Sequence, residues 1–364
     1  AELAPDHLRA DLRLAPGAWP EALGTASADA ERVGAALELA VAVPADGAAA
    51  GELPALAAAL RASGTAVARA LVHEERSRPG PLPATAPASV ALVREALVPV
   101  TGPIVVAGGS DNAYAEVNRA RPEDPAIEAI AFPACPTVHA ADDDALAENV
   151  DGLRATVADA VAVCAPRSIH VTPITLATRF GPYPAGPAGP GDPPPHEDRR
   201  QATLLGAAWT AAAIGALAAA GAASATFHGT TGPTGTILPD EDAGGPGGVH
   251  PLWHVLADAG AWKAGEVRRT RSSRPETLGG FAVETDAGLG LVVANLSGAP
   301  IRARVTGLPE GRAEVRVLDE ASAPRAIDAP HGFRSAPPRP EPVVDGELVL
   351  GLLPYAVARV LVRR

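Results

Sequence analysis

Carboxylates, histidines and arginines recur at the ends of short apolar runs in this chain, and such placement could carry chemistry. The run at residues 7–14 holds Arg9 and Asp11, and the run at 37–43 holds Glu38 between leucines. A third ends in His73-Glu74-Glu75. A fourth leaves through Gly-Gly-Ser-Asp-Asn-Ala-Tyr-Ala-Glu-Val-Asn-Arg-Ala-Arg-Pro at 108–122, which brings Asp111, Asn112, Glu116, Asn118 and Arg119. Later runs end in His139 with Asp142, in Thr172-Pro-Ile-Thr175, and in His228 followed by Gly229 and two threonines.

Each residue has a structural and a functional reading. A lone carboxylate inside an apolar strand is costly to ionise unless paired, so Glu38 needs a cation, and Arg9 one strand over is the expected partner. The pair is either a structural ion pair or a charged floor for a substrate. Asp111 follows two glycines and a serine, so it is either an Asx turn ending the strand or a general base. His139 is either a core histidine or a donor and proton shuttle beside that base. His228, against Gly229, reads as more exposed. Asn118 and Arg119 read as loop braces, and residues 142–144 as the acidic start of a helix. Nothing around Cys135 would lower a thiol pKa, and Ser110 lacks the GxSxG elbow. Neither HExxH nor HxH spacing occurs, so no metal is expected.

The elements that must hold these groups follow from the hydrophobic period. Strands are expected at 7–14, 37–43, 66–72, 103–107, 126–132, 169–173 and 225–228. Helical stretches fall near 28–36, 52–63, 89–97, 144–164, 200–220 and 250–261. This alternation predicts parallel strands with crossover helices. The count is about seven units where a closed barrel needs about eight, and no Gly-rich phosphate turn opens a doubly wound sheet. The reading is therefore an α/β chain: a (β/α)8 TIM barrel missing its first strand over 1–264. A C-terminal antiparallel β-domain, sandwich-like, follows over 265–364. Within it the Pro-rich stretch 321–342 reads as a linker-like excursion. Two long loops, 181–197 and 240–248, are expected on the strand-exit face where barrel enzymes build their sites.

Composition narrows the partners. The net charge of −12 with no basic patch argues against nucleic acid. Hydrophobic residues make up 47% but aromatic ones only 3%, so the core must be close-packed from small side chains. Two cysteines far apart suggest a reducing cytoplasm rather than a disulfide framework. No breaker-free apolar run is long enough to span a membrane, and no signal peptide opens the chain. Methionine is absent, and upstream sequence, including a barrel strand, is expected to be missing. The oligomeric state is not legible.

The string at 108–122 resembles a segment of the D-apionate lactonase family of sugar-acid catabolism. Pro136-Thr-Val-His-Ala with Asp142 is similar too, as are Thr172-Pro-Ile-Thr-Leu-Ala-Thr-Arg-Phe180, Thr230-Thr-Gly232, the run at 250–258 and the closing run at 353–359. The resemblance covers nearly the whole chain in order. It implies a barrel with a C-terminal β-domain that acts on a branched sugar lactone without a redox cofactor. Two positions depart from the family pattern. Thr137 stands where the family has Gln, and Phe227-His228-Gly229 stands where it has an aromatic pair and Glu.

The expected function is hydrolysis of a sugar lactone such as D-apionolactone, with a small-molecule sugar lactone or sugar acid as partner, no nucleic acid or membrane, and no cofactor. Asp111 and His139 are the expected catalytic residues, and Arg9, Glu38, Asn112, Glu116, Asn118 and His228 the expected substrate-binding ones. The alternatives are a barrel glycoside hydrolase pairing Glu74 or Glu75 with Asp111, and a carbohydrate-binding protein without catalysis.

Overall fold

The computed structural model describes residues 2–75, 84–179, 197–239 and 248–363. Its first part alternates strand and helix. The strands are β1 (His7–Arg13), β2 (Ala36–Val43), β3 (Val67–Glu74), β4 (Val105–Gly109), β5 (Ala129–Ala134), β6 (Ser168–Ile174) and β7 (Ser224–Phe227). The helices are α1 (Pro20–Val33), α2 (Ala49–Ser63), α3 (Pro87–Thr101), α4 (Tyr114–Ala120), α5 (Asp143–Cys164), α6 (Leu204–Ala220) and α7 (Leu252–Ala261). All seven strands pair in parallel and in sequence order, as a right-handed βα repeat requires. The edges of β1 and β7 are not backbone-paired. They meet through side chains, His7 Nε2 donating to Thr226 Oγ1 at 2.8 Å.

The period-2 rule explains both faces of this sheet. On β1, Leu8, Ala10 and Leu12 face the helices and join the main apolar core, while His7, Arg9 and Asp11 point into the barrel. Small side chains (Ala40, Ala107, Ala129, Ala131) with Leu71 form a separate interior cluster. That is where the scarcity of aromatic residues tells: a lumen lined with alanine has room for buried charged chains. At the end of β4, Gly109 adopts φ +143°, and a Cβ there would lie 1.9 Å from the Ala131 carbonyl oxygen. Only glycine lets β4 run this close to β5 before the chain turns toward Asp111.

The second part is antiparallel. It comprises β8 (Glu266–Arg268), β9 (Leu278–Thr285), β10 (Gly288–Asn295), β11 (Ile301–Thr306), β12 (Gly311–Leu318), β13 (Arg339–Val343), β14 (Glu347–Leu352) and β15 (Val357–Arg363). Six of these form a sheet ordered β13-β12-β15-β10-β9-β8, and β11 pairs with β14 in a second. Side chains between the two build their own core. The excursion expected at 321–342 is structured instead. It folds into α8 (Ala323–Asp328), α9 (Pro330–Ser335) and the start of β13, because Ala326 and Phe333 bury themselves against α7 and the sheet.

The Ala-rich helix α6 is buried on most of its circumference, since one face meets the barrel and the other meets β9 and β10. Its glycine, Gly215, lies so close to β9 that a Cβ would come within 2.0 Å of the Gly280 carbonyl oxygen. Among the described residues no helix is long and apolar enough to cross a membrane. The loops 181–197 and 240–248 lie outside the described residues, save for Glu197 and Gly248.

Candidate functional site

Two layers of polar side chains fill the barrel. The lower one centres on Glu38, which has no exposed surface. Sequence pairing assigned it to Arg9, and the two are indeed register neighbours. The direct cation is nevertheless Arg69 on β3, whose Nη1 donates to Glu38 at 2.9 Å and also to Ser224. Thr172 and Thr226 donate hydroxyl hydrogens to the other carboxylate oxygen. Burial alone would push the Glu38 carboxyl up, but His7, Thr172, Arg9 and Arg69 outweigh it and hold it low. His170, bonded to Ser224 at 2.7 Å, is driven down to about 4, chiefly by burial, and stays neutral. Glu38 is thus the centre of a closed layer of polar side chains and has no exposed surface of its own.

Arg9 turns the other way because two carboxylates sit above it. Its guanidinium donates to Asp11 at 2.7 and 3.0 Å and to Asp111 at 2.9 Å, with Thr172 beneath. Arg179, after β6, completes the square, donating to Asp111 at 3.1 Å and lying 3.1 Å from Asp11. Asp11 has both oxygens engaged. Its side chain is half exposed, and against the desolvation that remains Arg9 and Arg179 hold its carboxyl low, at about 2. Asp111 accepts both arginines on Oδ1, and among the described residues Oδ2 carries no hydrogen bond. Charged hydrogen bonds of this kind are short and directional, so the four side chains form one connected unit.

Behind this unit stands His73 on β3, 2% exposed, with neither ring nitrogen hydrogen-bonded. Burial pushes it down to about 4, with Asp111 opposing and Arg9 assisting. It is therefore a neutral imidazole within the field of a charged cluster. In front opens a cleft of about 580 Å³ between the β1 and β7 edges, lined by Arg9, Asp11, Arg179, Gln201, His228 and Thr230 among others.

The remaining expected residues are distributed around this centre. His139 is exposed after β5 and shares no hydrogen bond with Asp111, so the structure does not bring those two together. Asn112 donates to the buried Glu116 at 2.9 Å, which braces the turn after Asp111. Asn118 is exposed on α4. His228 lines the cleft with the left-handed φ of 56°, unusual for a residue with a side chain. The Thr210 hydroxyl donates to Gly206 O, so His228 Nε2 must donate to Thr210, and burial keeps the ring neutral at about 3. Cys135 donates to Leu176 O, and burial pushes its thiol up, away from nucleophilic use. Glu74 caps α3 through the Ala86 amide and Ser89, and Glu75 pairs with Arg13. Both carboxylates are thus engaged in structural contacts.

Sequence reasoning missed His73, Arg69 and Arg179 as members of these layers. Arg69 was findable, because it occupies the same inward register as Glu38 on the neighbouring strand. Arg179 meets Asp111 only across the barrel, and no local signal reports that contact. His73 lies on β3, the strand next to the one Asp111 follows, and its apolar-strand setting hid it. Among the described residues no group of three His, Cys, Asp or Glu side chains converges as a metal site.

Comparison with known proteins agrees with this architecture. A family model described as D-apionate lactonase, TIM barrel domain, matches residues 1–264. A second, D-apionate lactonase, C-terminal immunoglobulin-like domain, matches residues 275–360. No curated protein matches the chain in sequence. Among solved structures, a GH30 endoxylanase from Clostridium papyrosolvens superposes with TM-score 0.61 at 11% identity, covering 100% of this chain and 91% of its own. A glucosidase from Croceicoccus marinus gives 0.60 at 11% identity, covering 100% and 90%. A 4-O-alpha-L-rhamnosyl-beta-D-glucuronidase from Fusarium oxysporum gives 0.58 at 10% identity, covering 90% and 77%. At such identities the likeness is one of fold alone.

Proposed function

The chain belongs to the D-apionate lactonase family, and from that premise we propose that it hydrolyses a sugar lactone to the sugar acid at the cluster of Arg9, Asp11, Asp111 and Arg179. The observation that carries this reading is the open Oδ2 of Asp111, held above two guanidiniums at the strand-exit end of the barrel. Lactone opening needs one base for water and donors for the oxygen that gains charge. In the proposed step a water on Oδ2 gives its proton to Asp111 as its oxygen bonds the lactone carbonyl carbon. Arg9 and Arg179 donate to the resulting oxyanion. The ring C–O bond then breaks, and the departing alkoxide takes the proton back from Asp111, leaving a hydroxy acid. Asp11 keeps the two arginines aimed. Thr230 in the cleft wall offers its hydroxyl to a sugar hydroxyl, and the His228 ring, spent on Thr210, offers a packing face.

A sugar-lactone panel run beside p-nitrophenyl glycosides tests the reaction class. Acid release from a lactone with no nitrophenol release supports the proposal. Cleavage of the glycosides with no lactone turnover would transfer the site to the glycosidase reading.

A further inference from the structure

His73 is an anomaly that the proposed step does not use. It is a polar side chain with 2% exposure, and both of its ring nitrogens are buried without a partner. Leaving a buried donor or acceptor unmade costs about 1–3 kcal/mol. Such groups call for a reason, and a catalytic role is one. The surroundings supply that reason. His73 precedes the last residue of β3, the strand paired with β4, whose exit carries Asp111. Asp111, Arg9, Asp11 and Arg179 are the charges that act on its ring.

Among the described residues, the Asp111 carboxylate is held by the two arginines alone. Those same arginines are the donors that the developing oxyanion needs. One guanidinium cannot swing to the substrate without removing a support from the base, and a base that loses its support loses its aim.

We propose that His73 is a positioning residue for this reaction, its ring N–H taking up the bond to Asp111 Oδ1 when Arg9 or Arg179 turns to the substrate oxygen. The inference rests on the lactonase reading. A neutral imidazole suits the task because it donates a hydrogen bond without adding a third positive charge beside two guanidiniums. Catalytic hydrogen bonds are commonly unformed without substrate and tighten in the complex, which matches a donor held ready but unspent.

The test compares His73→Leu and His73→Gln in the full chain, reading kcat, KM and the thermal midpoint. Leucine removes the unpaired nitrogens and keeps the bulk. It is expected to lower kcat at least about tenfold with KM changed less than about twofold, while the thermal midpoint holds or rises. Glutamine, which retains an N–H, is expected to recover much of kcat. Full kcat in His73→Leu overturns the inference and leaves the lactonase reading standing. A wild-type protein inactive on every lactone defeats the lactonase reading. The thermal arm still decides on His73 in that case, since a clear fall in midpoint for leucine would show a structural tie rather than a reserve.

Discussion

At the scale of single residues, the partition of charge between two layers decides what each group can do. Glu38 is closed in by Arg69, Thr172 and Thr226, whereas Asp111 keeps one oxygen open. His139, exposed and outside the network, is expected to be dispensable: His139→Gln should keep turnover within about twofold. A large loss would show that the loop after β5 reaches the substrate. Three buried histidines, His73, His170 and His254, are neutral, depressed by burial to about 4 from an ordinary 6.5, and His228 in the cleft wall is depressed to about 3. A histidine whose folded pKa lies below its unfolded one favours the native state while neutral. The unfolded chain takes up the proton first as pH falls, so stability declines through that window. The urea midpoint should therefore be level above about pH 6.5 and drop steeply toward pH 4, and His73→Leu should flatten part of the slope. A midpoint independent of pH over that range would mean these rings are solvated.

At the scale of elements, the parallel strands were legible because apolar runs of strand length alternate with helical periods. What escaped was register across the lumen. The sequence suggests Arg9 for Glu38 since both sit one strand apart, but a long guanidinium chooses between carboxylates above and below it, and two aspartates above prevail. The stretch 321–342 looked like a linker because proline masks the short helices α8 and α9, whose apolar residues find partners only on α7 and the β-sheet. Prolines near the first turn of a helix are tolerated, which is where Pro324 and Pro330 stand. Gly109 provides the element-scale test. Gly109→Ala must push its Cβ against Ala131 O, so a loss of about 2–4 kcal/mol and misplacement of Asp111 are expected in urea titration and activity. Gly47→Ala, where a Cβ meets nothing within 4 Å, should cost only about 1 kcal/mol. Equal costs at the two positions would contradict the close approach of β4 and β5.

At the scale of the whole molecule, α6 and α7 join the barrel to the β-domain in one packed body. Small residues on α6 let β9 lie against the helix backbone. Asp258 on α7 draws in Arg334 at 2.9 Å and Arg359 at 3.1 Å, with Arg359 stacked 4.8 Å over Trp262. Gly215→Leu should pry the two parts apart and split a single calorimetric transition into two, while an unchanged transition would show that the interface is slack. The joined body matters for function because α6 follows the loop region on the exit face and supplies Thr210, which orients His228. The most direct measurement for the central claim is acid release in a pH-stat from D-apionolactone by wild-type protein and by Asp111→Asn, at matched folded fraction. The account predicts steady hydrolysis by the wild type and a loss of about 10²–10⁴-fold in kcat for the variant with its fold intact. Equal turnover by the two proteins would contradict it.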